Sequence, residues 1–401
     1  MENMQLLVDA DVHAPRHLGR RSLLLGGGRV LWMGEEPPAL SDRLGVEVTD
    51  LGGLRLVPGF VDGHAHVTGG GGETGYGSSV PPQSVDVFLR AGVTSVVGVL
   101  GTDDCVRTTG QLVHAVYGLR AHGLAAWCHT GGYHVPPTTL TGSVRRDICH
   151  VDPIIGFGEL AISDHRSSQP TFDEFLRLAS EVHVGGLMTG KAGVLHLHLG
   201  DGKRGLELVR RALDLHEIPA RTFHPTHVNR RRALLEEAIA ATERGVTIDV
   251  TASPEDGSPI ADGPDADLPA SYAVERILAS GAPRERFTIS SDGGGCLPTF
   301  DEDGELVHVD VGRPDTLPAL LARLLDRGVA LEDALLGLTS NPATLLRLEG
   351  RGCVEVGAHA DLVVLEHGTH AVRDVWCGGV RRVADGVLRR GDPFGGGIAA
   401  R

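Results

Sequence analysis

The stretch Arg55-Leu56-Val57-Pro58-Gly59-Phe60-Val61-Asp62-Gly63-His64-Ala65-His66 decides how this chain is to be read. An apolar, strand-forming run ends at Gly63 and then presents two imidazoles one residue apart. Side chains alternate between the faces of a strand, so His64 and His66 point to the same side. A strand ending this way can hand two nitrogens to one metal ion. With 20 histidines in 401 residues some H-x-H pairs arise by chance, so the pair alone is a moderate signal. The weight comes from what the rest of the chain supplies.

Eight β-rich runs lie between residues 55 and 293, at 56–61, 94–100, 125–130, 154–162, 194–199, 223–228, 247–253 and 287–291. Each is followed by loop and then helix. Segments 171–182, 204–215 and 231–244 carry the apolar spacing of amphipathic helices, and Thr171 with Glu174 forms a capping box. Eight strand-then-helix units in series predict an α/β fold of the (β/α)8 TIM-barrel type, with its chemistry at the carboxyl ends of the strands. The first ~55 and last ~50 residues fall outside the barrel period. Both carry short β-like runs, so a small β-sandwich domain built from residues 1–55 and 349–401 is expected beside a barrel at 56–348. The Gly/Asp/Pro-rich segment 254–269 reads as a mobile loop after the seventh strand.

A content of 41% hydrophobic and 22% charged residues is that of a soluble globular protein. No apolar run is long enough to span a bilayer, and the N-terminus lacks a basic region followed by an apolar core; a cytoplasmic location is expected. The cysteines Cys105, Cys128, Cys149, Cys296, Cys353 and Cys377 are scattered, which argues for reduced thiols. A formal net charge of −15 disfavours nucleic acid and anionic membranes as partners. An anionic substrate would need local arginines. Arg230, Arg231 and Arg232 cluster, the last two expected on the solvated face of the following helix.

The remaining candidate ligands also fall at strand ends. Glu159 sits inside the apolar fourth run, where a carboxylate is costly unless it meets a cation. The fifth run offers His196 and His198 on one face and the sixth offers His224 and His227. In each pair the residue nearer the carboxyl end, His198 and His227, is the better ligand, and His196 and His224 read as hydrogen-bonded core residues. Asp292 closes the eighth run ahead of three glycines, which allow close approach. A lone buried His or an Asp before Gly is usually structural. Six such coincidences at the strand ends of one barrel are not. Four imidazoles and two carboxylates suit two Zn2+ ions per subunit, or one, sharing a bridging carboxylate and a hydroxide. The hydroxide forms because bound zinc lowers the pKa of water toward ~7, and Asp292 is placed as general acid and base.

The chain resembles the amidohydrolase superfamily and, within it, the isoaspartyl (β-aspartyl) dipeptidases. The likeness covers the barrel and much of the flanking β domain. It is carried by H-A-H-V-T-G-G-G-G-E-T-G (64–75), V-T-S-V-V-G-V-L-G-T-D (93–103), T-G-G-Y-H-V-P (130–136), A-I-S-D-H-R-S (161–167), P-T-H-V-N-R (225–230) and S-S-D-G (290–293). The resemblance implies that His64 and His66 hold one metal, His198 and His227 the other, and that Asp292 serves the first metal and the attacking water. It implies that Glu73 receives the substrate ammonium, Tyr133 stabilises the oxyanion, Arg166 and Arg230 grip carboxylates, and Thr102 lines the pocket. A large homo-oligomer, an octamer, is also implied. Two positions depart from the pattern: Glu159 stands where the family carries a carboxylated lysine, and Cys296 where a pocket serine is expected. Lys191 precedes the fifth run and belongs at the opposite end of the barrel.

The expected activity is therefore zinc-dependent hydrolysis of isoaspartyl dipeptides, small-molecule substrates. Another amidohydrolase reaction, on N-acyl-amino acids or cyclic amides, would keep the six ligands without needing Glu73, Arg166 and Arg230 together. A metal-free barrel scaffold would be expected to have lost ligands.

Overall fold

Six parallel strands pair in chain order into one sheet: β1 (Phe60–Ala65), β2 (Val93–Gly98), β3 (Ala125–Thr130), β4 (Ile154–Ser163), β5 (Val194–Leu199) and β6 (Phe223–Thr226). The computed structural model describes residues 4–73, 75–300 and 306–389. Strands β7 (Ile248–Thr251) and β8 (Phe287–Ser290) form a parallel pair of their own. Beyond β8 the chain returns to β1 through a parallel bridge between Ala65 and Gly293, with His66 N donating to Gly293 O at 2.8 Å. Side chains join β6 to β7: Thr226 Oγ1 donates to Asp249 Oδ2 at 2.7 Å, and Thr251 N donates to Asn229 Oδ1 at 3.0 Å. The domain is an α/β barrel-like fold whose strands are buried on both faces, as parallel sheets require.

Helices α1 (Val85–Arg90), α2 (Thr109–Ala121), α3 (Val144–His150), α4 (Phe172–Thr189), α5 (Glu207–Leu215), α6 (Arg232–Thr242), α7 (Ala270–Ala279) and α8 (Thr316–Asp326) follow the strands in turn. The capping box at Thr171 and Glu174 starts α4, and a second, Thr108 with Gln111, starts α2. Phe175 of α4 stacks on Phe223 of β6 with ring centroids 5.6 Å apart, and burial of such a ring contributes about 1.5–3 kcal/mol.

The chain termini build a nine-stranded sheet. Its spine runs Val380–Ala384, Val372–Cys377, Leu362–Leu365, Arg55–Pro58, Gln5–His13, His17–Gly26. One core lies against it, including Leu7, Leu23, Leu56, Leu362 and Trp376. Outside both sheets, Cys296–Phe300 pairs antiparallel with Leu306–Val311, a hairpin the sequence reading did not anticipate.

Two expectations need correction. The first strand run, expected as one piece, is split at Gly59. Residues 55–58 pair antiparallel with Leu362–Leu365 and belong to the terminal sheet, while β1 begins at Phe60 and pairs with β2. Pro58 has no N–H to give a ladder, and a Cβ at Gly59 would meet Thr94 Oγ1 at 2.1 Å, so glycine alone lets the chain pass. Arg231 and Arg232 do not spread over a solvated helix face. Arg231 donates to Gly202 O at 2.6 Å and pairs with Asp265, and Arg232 reaches Tyr272 Oη and the carbonyls of Ala261 and Gly263. Both tether the loop after β7.

Candidate metal centre

At the carboxyl end of the sheet, His64 Nε2 and His66 Nε2 face each other 3.4 Å apart. Asp292 Oδ1 lies 3.4 Å from the first and 3.2 Å from the second, and Glu159 Oε1 lies 3.6 and 3.2 Å from the same two nitrogens. The other oxygen of Glu159 turns the opposite way, 2.9 Å from His198 Nδ1 and 3.4 Å from His227 Nε2. One carboxylate thus spans two imidazole pairs, one oxygen on each. All six residues are buried.

These side chains fit divalent cations. Two imidazole nitrogens and two carboxylate oxygens converge on one point, and Asp292 Oδ1 is buried there without a hydrogen bond; a cation among them satisfies it. The electrostatics lean the same way. Burial opposes charge on His66, yet Asp292 and Glu159 outweigh it and raise its pKa to about 10. Burial pushes the Glu159 carboxyl up, but His64 and His198 hold it well below the usual carboxylate range. His227 is lowered to about 3, chiefly by burial, and so is kept neutral, the form that ligates.

The backbone makes room for this convergence. A side chain at Gly158 would strike His196 Cβ at 2.6 Å, so glycine lets β4 approach β5 closely, and Glu159 follows directly. His227 and Asp292 both adopt left-handed backbone, with φ of 59° and 52°, at a cost of roughly 1–2 kcal/mol each.

A supporting ring that the sequence reading did not single out orients the ligands. Asp164 Oδ2 lies 2.9 Å from His198 Nε2, leaving Nδ1 to face Glu159, and Thr251 Oγ1 lies 2.6 Å from His227 Nδ1. Asp62, fully buried, accepts from Ser291 N at 3.1 Å and ties β1 to the end of β8; burial raises its pKa to about 6. The signal for Asp164 was its place two residues before Arg166. Lys191 lies away from the cluster and donates to the carbonyls of Ile148 and Val151 at 2.7 Å, at the end of α3.

Most residues expected to meet substrate line one small cleft with His66, Glu159, His198 and Asp292: Glu73, Thr102, Tyr133, Arg230 and Cys296, joined by Gly70 and Gly71. Tyr133 Oη sits 2.8 Å from His198 Nδ1, and burial together with the Glu159 charge holds its pKa well above the usual value, so it stays a donor. Arg166 does not line this cavity; it lies at the neighbouring mouth with Arg230 and His227. It grips Asp164 with two bonds, 2.7 and 3.0 Å, and pairs with Glu73 at 3.3 Å. Glu73 Oε2 is buried without a hydrogen bond. Cys296 lies beside Glu73, and burial followed by that charge lifts its thiol to about 12, so it remains a neutral thiol.

Residues 55–382 match the amidohydrolase family, and the chain belongs to it. The particular likeness is to the beta-aspartyl dipeptidase of Fervidobacterium islandicum AW-1. Its crystal structure in complex with the beta-Asp-Leu dipeptide superposes with a TM-score of 0.89 at 36% identity, covering 96% of this chain and 99% of that one. A second crystal structure from that organism gives 0.86 at 34% with the same coverage. The imidazolonepropionase of Streptomyces coelicolor is 25% identical over 413 residues, 92% of this chain and 94% of that protein. Dihydropyrimidinase from Brevibacillus agri shares the fold, with a TM-score of 0.65 at 14% identity.

Proposed function

We propose that this protein is a zinc-dependent β-aspartyl dipeptidase, hydrolysing the isopeptide bond of isoAsp-Xaa dipeptides. The observation that carries the reading is the cavity itself. It joins His66, His198, Glu159 and Asp292, behind which His64 and His227 close on the same carboxylates, to Glu73 and Arg230, with Arg166 at its edge. An isoaspartyl dipeptide carries one ammonium and two carboxylates, and the guanidinium fork matches a carboxylate. The likeness to an enzyme crystallised with beta-Asp-Leu points the same way.

His64, His66 and Asp292 would hold one zinc ion and His198 and His227 the other, with Glu159 between them. Bound there, zinc supplies Lewis acidity and lowers the pKa of water toward ~7. Asp292 takes the proton of the attacking water and returns it to the leaving amine. Tyr133, held protonated, donates to the scissile carbonyl oxygen as negative charge develops on it. Glu73 takes the ammonium, Arg166 and Arg230 the carboxylates, and Thr102 and Cys296 close the pocket wall.

The reading includes a (β/α)8 barrel over 56–348 and a sandwich from 1–55 and 349–401, with residues 55–58 on the sheet side; residues 1–3, 74, 301–305 and 390–401 of these spans lie outside the described residues. No helix among the described residues is long and apolar enough to cross a membrane; a cytoplasmic homo-oligomer, an octamer by resemblance, completes the reading.

Metal analysis coupled to assays of β-Asp-Leu, α-Asp-Leu and N-acetyl-Asp tests this. Turnover of β-Asp-Leu well above the other two is expected. Preference for the α-linked or acylated compound would reject the assignment.

A further inference from the structure

Behind the ligand cluster an unbroken chain of buried hydrogen bonds crosses the barrel interior. His64 Nδ1 lies 2.8 Å from His196 Nε2, His196 Nδ1 lies 2.9 Å from His224 Nδ1, and His224 Nε2 lies 2.9 Å from Thr288 Oγ1. Thr288 Oγ1 donates to Asp249 Oδ1 at 2.5 Å, and Asp249 Oδ2 accepts from Thr226 and Ser290 hydroxyls at 2.7 and 2.6 Å. The path touches β1, β5, β6, β8 and β7, and His64, His196, His224, Thr288 and Asp249 are each 1% exposed or less.

We propose that His196, His224 and Asp249 are positioning residues that fix the tautomer of His64 and thereby its capacity to hold a cation. The inference rests on the metal-centre reading above. Two facing ring nitrogens share one proton, so every imidazole in the chain donates from one nitrogen and accepts at the other. Asp249 sets the direction. A carboxylate receiving three hydroxyls leaves Thr288 Oγ1 a lone pair for His224 Nε2–H. His224 then accepts at Nδ1 from His196, and His196 accepts at Nε2 from His64 Nδ1–H. The proton of His64 is thus held on Nδ1, and Nε2 faces His66, Glu159 and Asp292 bare. Reversing the chain would put a proton on Nε2 and abolish the ligand. Outer partners of ligating histidines act in this way, and their loss typically costs 10–100-fold in metal affinity.

The test measures zinc affinity of chelator-stripped protein by competition with a chromophoric chelator. His224→Leu and Asp249→Asn are expected to lower affinity by roughly 10–100-fold. His224→Asn keeps an acceptor at the Nδ1 position and should recover most of the loss, which a packing role would not predict. In stripped wild-type protein, 15N spectra of the imidazoles should place the proton of His196 on Nδ1 and that of His224 on Nε2. Unchanged affinity in both damaging variants, equal loss in His224→Leu and His224→Asn, or a proton on Nδ1 of His224 would overturn the relay alone. Wild-type protein that binds no zinc would overturn the metal centre and the relay with it.

Discussion

Glu159→Gln is the sharpest perturbation available, because it keeps the shape of the side chain and removes its charge. Glu159 is 1% exposed and has one oxygen on each imidazole pair, so a cation on either side would lose its shared anion inside the protein. Stripping one partner from a buried charge costs about 3–5 kcal/mol. At 1.4 kcal/mol per decade that is a fall of roughly two to three and a half orders of magnitude in affinity. The amide of Gln also directs hydrogens at one of the pairs. Metal content after gel filtration, with affinities from chelator competition, should show both ions lost together, while circular dichroism of the stripped forms stays alike. Loss of one ion with the second held at wild-type affinity would refute the bridging role, and retention of two would refute Glu159 as a ligand. A bridge by Glu159 would need no carbamate, so on that proposal wild-type activity should also be indifferent to added bicarbonate.

Three further outcomes are expected. Tyr133→Phe should lower kcat by roughly 10²–10³-fold while KM stays nearly constant, since the phenol acts on charge that develops only in the transition state; a rise in KM at unchanged kcat would assign it to ground-state binding instead. Glu73→Gln should lower kcat/KM for β-Asp-Leu by roughly ten- to a hundredfold, the worth of one charge-assisted bond of ~1.5–3 kcal/mol, and an equal loss on a substrate lacking the ammonium would contradict the pairing. For stripped protein the sign of the pH effect follows from His66, raised from 6.5 to about 10. Its contribution to stability is complete below pH 6.5 and is lost as pH rises through about 10. Thermal melts of the stripped protein that show no fall from His66 between these values would sink that assignment.

The reach of sequence reading here has a physical limit that particular residues make plain. His64, His66, Glu159, His198, His227 and Asp292 could be picked out because a parallel strand hides both faces in apolar residues, so a polar side chain at its carboxyl end stands out. His196 and His224, read as hydrogen-bonded core, are buried and bonded to one another, but their partners come from other strands and only three-dimensional closure reveals the path. The join at Gly59 was missed because residues 56–61 look like one strand; the division depends on Thr94 crowding the glycine, a contact 35 residues away. Arg231 and Arg232 were misjudged for the same reason, since their partners are distant in sequence: Gly202 O and Asp265 for Arg231, the carbonyls of Ala261 and Gly263 for Arg232.

That join has a mechanical consequence. The segment clamped between Gln5–His13 and Leu362–Leu365, Arg55–Pro58, runs through a single glycine into the strand that carries His64 and leads to His66. Trp376 Nε1 adds a 2.8 Å tie to Gln5 Oε1 across the same sheet. Trimming the carboxyl end into Leu362–Leu365 would unclamp the anchor on which two imidazoles are strung, so, on the proposed metal reading, an excised barrel should lose affinity for a divalent cation before it loses its helices.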